Sequence, residues 1–155
     1  MKKPLSEKFV KQAIIKWLFR NEWGRNLEVG ELRDHGVDIR VRNNKFSRYF
    51  LIEAKGEGKI RQADEVAFVY SLGQIITRMN SGGSTRNYYG LGLPGISANI
   101  AIRRVPWQVA KKLLLFIFSV DSTGQVKQYR WQDLKKLQSK TGLIKKPVPE
   151  IKKII

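Results

Sequence analysis

Hydrophobic residues recur every three or four positions near the start of the chain, which predicts an amphipathic helix. Apolar side chains run from Phe9 to Leu18 at this spacing, with lysine and glutamine between them. Ser6 precedes the pattern and is a suitable N-cap, and Gly24 is expected to end the helix near residues 21–23. The chain therefore begins with a helix that presents one apolar face to a core.

Alternating polarity follows and predicts a β-hairpin. Residues 37–42 alternate between apolar and charged side chains, and residues 49–55 form a second strand after a polar loop. Alternate side chains of a strand point to opposite faces, so Glu53 and Lys55 share one face of the second strand. Asp38 lies on the polar face of the first strand. The three side chains converge if these faces lie on the same side of the sheet.

The rest of the chain alternates between helical and strand patterns. Residues 62–80 are apolar around more than half of a helix, so this helix is expected to be largely buried. Pro106 marks a start or a kink within a later helical segment. The order predicts an α/β domain with one mixed sheet and helices packed against it. We expect this single domain to span residues 1–142, followed by a basic tail at 143–155.

Composition limits the chemistry that the protein can perform. The 155 residues include no cysteine and one histidine, His35, which in the turn "DHG" is more typical of a turn residue than of a general base. Disulfides, thiolate zinc sites, iron–sulfur clusters and multi-histidine metal sites are therefore excluded. A metal would have to be a hard ion held by carboxylates, with Mg²⁺ or Mn²⁺ the first choices.

A formal net charge of +17 indicates a polyanionic partner. Nucleic acid is the first choice and an anionic membrane surface the second. The start of the chain has no apolar segment typical of a secretion signal, and the longest apolar run is far shorter than the ~20 residues of a membrane helix. We therefore expect a cytoplasmic protein with no membrane partner.

Asp38, Glu53 and Lys55 have the chemistry that phosphodiester hydrolysis needs. Carboxylates can hold divalent ions that gather the phosphate and polarise water, and a nearby cation opposes the developing negative charge. Lys55 would stand beside the attacking water. The alternative is an exposed ion pair between Glu53 and Lys55, typically worth less than ~1 kcal/mol. Their position at the end of an otherwise apolar strand favours the chemical interpretation.

The segments "GVD" (36–38) and "FLIEAKGE" (50–57), followed by a long helix, resemble the PD-(D/E)xK nuclease superfamily. That superfamily includes restriction endonucleases and Holliday-junction resolvases. The resemblance implies a restriction endonuclease-like mixed central sheet flanked by helices. It also implies a Mg²⁺ or Mn²⁺ ion held by Asp38, Glu53 and the carbonyl of Ala54, with Lys55 as the catalytic lysine. Val37 stands where many members have a proline.

Two further likenesses extend the comparison. "SLGQIITR" (71–78) resembles the "ALGQ" helix of the XisH-like group of the same superfamily, and "LLLFIFSVD" resembles its late strand. The first implies that Gln74 supports the site, whereas the alternative is a buried glutamine that hydrogen-bonds the backbone. An acid on the first helix often completes such sites, and Glu7 is the acid we favour.

These observations lead us to expect a Mg²⁺-dependent endodeoxyribonuclease that acts in DNA repair, restriction or recombination. A homodimer would supply one site for each DNA strand. The alternatives are a non-catalytic DNA-binding accessory factor with the same fold, or a basic protein that binds RNA or the ribosome. Basic residues expected to contact the DNA backbone around the site are Arg40, Arg42, Lys45, Arg48, Lys59, Arg61 and Arg78.

Overall fold

The computed structural model of the protein describes residues 3–30, 37–58, 61–79 and 87–140, except for the side chains at positions 61 and 62. The predicted end of the domain at 142 and the tail at 143–155 lie outside the described residues. Helices and strands alternate along the chain in the order α1 (Glu7–Arg20), β1 (Trp23–Val29), β2 (Ile39–Asn43), β3 (Tyr49–Ala54), α2 (Arg61–Thr77), β4 (Asn87–Pro94), α3 (Gly95–Arg104), α4 (Trp107–Leu113), β5 (Leu115–Val120), β6 (Val126–Tyr129) and α5 (Trp131–Lys140).

The six strands form one mixed sheet in sequential order from β1 to β6. The outer pairs are antiparallel, whereas β3, β4 and β5 run parallel to one another. Helices cross between the parallel strands, as such connections require. The predicted α/β fold with a mixed sheet and packed helices is therefore confirmed.

Helix α1 begins as predicted and ends at Arg20, next to the predicted range of residues 21–23. The backbone N–H of Phe9 donates to the hydroxyl of Ser6, which is the N-cap. At the other end, Asn21 is the C-cap and Glu22 takes the left-handed conformation, with a φ of 69°. The prediction that Gly24 ends the helix is wrong, because Gly24 already belongs to β1.

The predicted hairpin is formed by β2 and β3. Ile39 pairs with Ile52 and Arg40 pairs with Leu51 in antiparallel register. Asp38 immediately precedes β2, so the same register places it opposite Glu53. The pairing of these two strands is therefore what brings the two candidate carboxylates together.

The sheet separates two apolar cores. On one side α1 packs over the apolar side chains of β2 and β3, including Ile39 and Ile52. On the other side Leu51 joins buried residues of α2 and α3. Burying each large aliphatic side chain contributes roughly 1.5–3 kcal/mol. The two sides of β3 are thus both covered, and its charged residue Glu53 is buried with the apolar ones.

The expectation that α2 is largely buried is wrong for its outer face. Phe68 and Ile75 are buried against the sheet. Because the sheet and α3 cover only one side of the helix, four large apolar side chains remain 47% to 61% exposed: Val66, Val69, Tyr70 and Ile76.

Pro106 is the N-cap of α4 and separates this helix from α3, as one of the two sequence interpretations predicted. Among the residues that the structure describes, no helix is both long enough and apolar enough to cross a membrane.

Candidate functional site

Asp38 and Glu53 meet at one end of the sheet, where β2 begins and β3 ends. One carboxylate oxygen of Asp38, Oδ2, accepts a hydrogen bond of 2.7 Å from the backbone N–H of Ala54. Glu53 is only 3% exposed. The alternative of an exposed ion pair between Glu53 and Lys55 is therefore wrong, because the carboxylate lies inside the protein.

The environment of Glu53 favours its protonated form. Burial, together with the negative charge of Asp38 and a side-chain hydrogen bond with it, raises the pKa of Glu53 from 4.5 to about 7. The positive charges of Arg78 and Lys55 oppose this rise without cancelling it. Glu53 is therefore expected to exchange its proton near neutral pH.

Arg78 lies beside Glu53 instead of projecting freely toward solvent. Its Nε is 3.7 Å from Oε1 of Glu53, which is close enough for an ion pair and too far for a hydrogen bond. Both atoms are shielded from solvent and have no hydrogen-bond partner among the described residues. From the sequence, Arg78 was expected to contact the DNA backbone. Its contact with Glu53 was missed, because nothing in the sequence around residue 78 indicates a partner on β3.

Lys55 belongs to a chain of alternating charges. Its Nζ lies 3.8 Å from Oε1 of Glu7, whose second oxygen lies 3.6 Å from Nζ of Lys11. Lys11 in turn lies 3.5 Å from Oδ1 of Asp38. The structure therefore brings Glu7 and Lys55 to the same end of the sheet as the two carboxylates, and adds Lys11, which sequence analysis did not select.

A backbone clamp fixes Glu7 beside Lys55. The N–H of Glu57 donates to the carbonyl of Leu5 at 2.7 Å, and the N–H of Leu5 donates to Oε1 of Glu57 at 3.3 Å. Gly56 allows this close approach, since a Cβ at that position would lie 2.6 Å from the backbone nitrogen of Glu7. The glycine and glutamate of "AKGE" thus have a positioning role that sequence analysis missed.

Gln74 lies on α2, one turn before Arg78. Its Oε1 is buried and has no hydrogen-bond partner in the part of the chain that the structure describes. The Oε1 of Gln74 therefore does not hydrogen-bond the backbone of the described residues, and Gln74 lies on the helix face that also carries Tyr70 and Gly73. Tyr70, one turn earlier, places its ring 5.1 Å from Nζ of Lys55.

The possible metal ligands at this site are few, but they suit a hard divalent ion. No cluster of three or more histidine, cysteine, aspartate and glutamate residues suited to a metal occurs within the described ranges. Two carboxylates do meet, and Oε1 of Glu53 is a buried oxygen without a hydrogen-bond partner. Mg²⁺ typically takes one or two protein carboxylates and keeps several waters. Asp38 and Glu53 satisfy that requirement, and the carbonyl of Ala54 is the third ligand that the resemblance implies.

The basic residues predicted around the site are spread along the hairpin. Arg40 is next to the site and lies 3.7 Å from Glu28, with its guanidinium 4.0 Å from the ring centre of Tyr49. Lys45 and Arg48 lie at the opposite end, in or next to the loop that joins β2 to β3. Five residues of strand separate Arg48 from Glu53, about 17 Å. Their expected position around the site is therefore wrong, because the hairpin extends away from it.

Arg42 lies toward the loop end of the same hairpin, opposite Tyr49, and pairs with Arg25 of β1. Three other predicted residues have no described side chain: His35 and Lys59 lie outside the described residues, and only the backbone of Arg61 is described.

Comparison with known proteins adds no identification. No family model matches the chain, and no curated protein or solved structure matches it either. The geometry of the site is therefore the basis for the functional argument.

Proposed function

We propose that the protein is a Mg²⁺-dependent endodeoxyribonuclease. The observation that supports this most strongly is the meeting of Asp38 and Glu53 at the end of the β2–β3 hairpin, with Lys55 and Glu7 beside them. A buried carboxylate with a raised pKa is typical of functional sites. The resemblance to the PD-(D/E)xK nucleases assigns chemistry to the same residues.

In this proposal each side chain has a separate task. Asp38 and Glu53 would hold the ion together with the carbonyl of Ala54, and a bound ion would supply Lewis acidity at the scissile phosphate. Glu53 must release its proton for this, so occupancy should increase as the pH rises through the raised pKa of Glu53.

Lys55 supplies a positive charge beside the attacked phosphorus, and Glu7 holds its ammonium group in place. Gln74 is the residue to which the resemblance gives a supporting role, and its Oε1 has no hydrogen-bond partner among the described residues.

The proposed substrate is DNA. A net charge of +17 favours binding to a phosphate backbone, and the basic residues of the hairpin offer contacts that do not depend on base sequence. A homodimer with one site for each strand and a cytoplasmic location are part of the proposal.

The test is cleavage of supercoiled plasmid with Mg²⁺ or Mn²⁺. We expect the wild type to nick the plasmid and Lys55→Ala to lose about 100-fold or more of the rate. Lys127→Ala is the matched control, since Nζ of Lys127 lies 5.1 Å from the ring centre of Tyr129, the same distance as between Lys55 and Tyr70. If the wild type and Lys55→Ala show the same background, the catalytic proposal fails.

A second candidate is a DNA-binding accessory factor without metal chemistry. One observation favours it: each carboxylate already faces a cation, Asp38 facing Lys11 and Glu53 facing Arg78. Such pairs balance the buried charge without an ion. Calorimetric titration with Mn²⁺ separates the two candidates. Heat of Mn²⁺ binding that is present in the wild type and absent in Asp38→Asn supports the nuclease. DNA binding without any Mn²⁺ heat supports the accessory factor, and preference for RNA over DNA would contradict both.

A further inference from the structure

The outer face of α2 is an apolar surface that the rest of the described chain does not cover. It forms an open surface pocket of about 790 Å³, and every residue that lines this pocket belongs to the helix. Val66, Val69 and Tyr70 lie along it, one turn of helix apart or less, and each is more than half exposed. Contiguous apolar surface of this kind on one helix marks an interaction site more often than an ordinary surface.

Gly73 makes a notch in the middle of this face. A Cβ at this position would meet nothing within 4 Å, so no contact inside the described chain requires the absence of a side chain. Glycine in a helix interior costs about 1 kcal/mol relative to alanine. The notch is therefore open to a group from outside the described chain.

The charge of α2 indicates what kind of partner fits. After Arg61 at its start, the helix has no lysine or arginine up to its end at residue 77, and its two acids leave the outer face nearly uncharged, because Asp64 is buried and Glu65 pairs with Arg104. The whole chain has 30 lysines and arginines. The face of α2 is thus unsuited to nucleic acid, and it is a surface on which a second copy of this very basic chain can dock without repulsion between like charges.

We propose that α2 packs antiparallel against α2 of a second copy, around a two-fold axis between residues 71 and 72. In an antiparallel helix pair, facing residues have a constant sum of residue numbers. With this axis, Tyr70 fills the notch at Gly73 of the partner subunit. Of the other residues on this face, Val69 then pairs with Gln74 of the partner subunit and Val66 pairs with Thr77 of the partner subunit. The face is therefore complementary to itself, as a two-fold interface requires.

The size of this face determines the expected affinity. A helix of 17 residues is about 25 Å long. One helix face of that length buries less than the ~800 Å² per partner of a standard interface. We therefore expect a reversible dimer with a dissociation constant in the micromolar range, and no dependence on metal or DNA.

Sedimentation equilibrium of the wild-type chain from about 1 to 100 µM tests the association. The wild type should shift from monomer to dimer over this range. Val69→Glu should weaken the association by about 100-fold or more, because it buries an unpaired charge. Val109→Glu on α4 is the matched control, since Val109 is also an exposed helical valine, and it should behave as the wild type does. A wild type that stays monomeric at all concentrations overturns the proposal.

Disulfide crosslinking tests the geometry, because the chain has no native cysteine. An equimolar mixture of Val66→Cys and Thr77→Cys chains should crosslink on mild oxidation, and so should a mixture of Tyr70→Cys and Gly73→Cys chains. Val66→Cys alone should not crosslink, since its two copies would lie about 16 Å apart along the helix pair, beyond the ~7 Å that a disulfide spans.

A crosslink in Val66→Cys alone would indicate parallel helices and overturn the proposed arrangement. Neither the sedimentation experiment nor the crosslinking experiment depends on DNA cleavage, so they test the dimer separately from the proposed nuclease activity.

Discussion

The carboxylate of Glu53 faces the guanidinium of Arg78 across 3.7 Å, and both facing atoms are shielded from solvent without a hydrogen bond. The pair crosses from β3 to the end of α2. Glu53 is also beside Asp38, whose negative charge acts in the opposite direction. The protonation of Glu53 therefore depends on a balance between burial and Asp38, which favour the protonated form, and the two cations Arg78 and Lys55, which oppose it.

Removing Arg78 should shift this balance toward the protonated form. Because the positive charge of Arg78 lowers the pKa of Glu53, the variant Arg78→Gln should raise that pKa further above about 7. The carboxyl ¹³C chemical shift of Glu53, followed by NMR between acidic and alkaline pH, measures it. Arg103→Gln on α3 is the control and should leave the titration unchanged. An unchanged or lower pKa in Arg78→Gln would contradict the pairing.

The same raised pKa makes the stability of the protein depend on pH. Folded Glu53 keeps its proton up to about pH 7, whereas in the unfolded chain the proton leaves near 4.5. The folded state therefore binds more protons between these values, and its stability falls as the pH rises through them, by on the order of 3 kcal/mol. Glu53→Gln removes this dependence. The unfolding free energy of the variant minus that of the wild type should therefore be larger at pH 8 than at pH 4.5.

Urea unfolding of both proteins at the two pH values measures this difference. Glu28→Gln is the control, because Glu28 is an exposed glutamate paired with Arg40. The unfolding free energy of this variant should differ from that of the wild type by a similar amount at both pH values. If the unfolding free energy of Glu53→Gln differs from that of the wild type by the same amount at both pH values, the carboxyl group is not buried as the structure places it.

Local patterns were sufficient to predict the hairpin and the carboxylate pair. The alternation of apolar and polar residues in β2 and β3 shows which side chains share a face of the sheet. Antiparallel pairing of the two strands then puts Asp38 opposite Glu53. The helix that follows was also predicted, within three residues at its end. These features depend on residues close in sequence, so periodicity carries the information.

The parts that sequence analysis missed depend on tertiary placement. The approach of Gly56 to Leu5 and Glu7 joins segments about 50 residues apart, and nothing local signals it. The contact of Arg78 with Glu53 depends on how α2 packs across the sheet. The exposure of Tyr70 has the same origin, because composition shows an apolar helix without showing which side the sheet covers.

The hairpin loop should contribute to DNA affinity without contributing to chemistry. Lys45 and Arg48 lie at the end of the hairpin away from Glu53, so replacing both with glutamine removes phosphate contacts only. The slope of log affinity against log salt should fall by about 2, as expected for two lost contacts. Fluorescence anisotropy with duplex DNA at several salt concentrations measures it. The control with equal loss of charge is Lys135→Gln with Lys136→Gln on α5, which should keep the wild-type slope. An equal loss in both pairs would mean that net charge alone drives binding.

The clamp at Gly56 should link the stability of the protein to the position of Lys55, the proposed catalytic lysine. In Gly56→Ala the new methyl group would lie 2.6 Å from the backbone nitrogen of Glu7 and 2.7 Å from the carbonyl oxygen of Leu5. Backbone atoms cannot rotate away as a side chain can, so the N-terminal segment must move, at a cost of about 1–3 kcal/mol in unfolding free energy. Glu7 would move with it and release Lys55.

Urea unfolding and plasmid cleavage should therefore both decline in Gly56→Ala. Gly95→Ala is the matched control, since a Cβ at Gly95 meets nothing within 4 Å and alanine suits the first turn of α3. That variant should be at least as stable as the wild type and equally active. If Gly56→Ala loses stability while retaining the full cleavage rate, Glu7 does not position Lys55, and the ion pair between them is only structural.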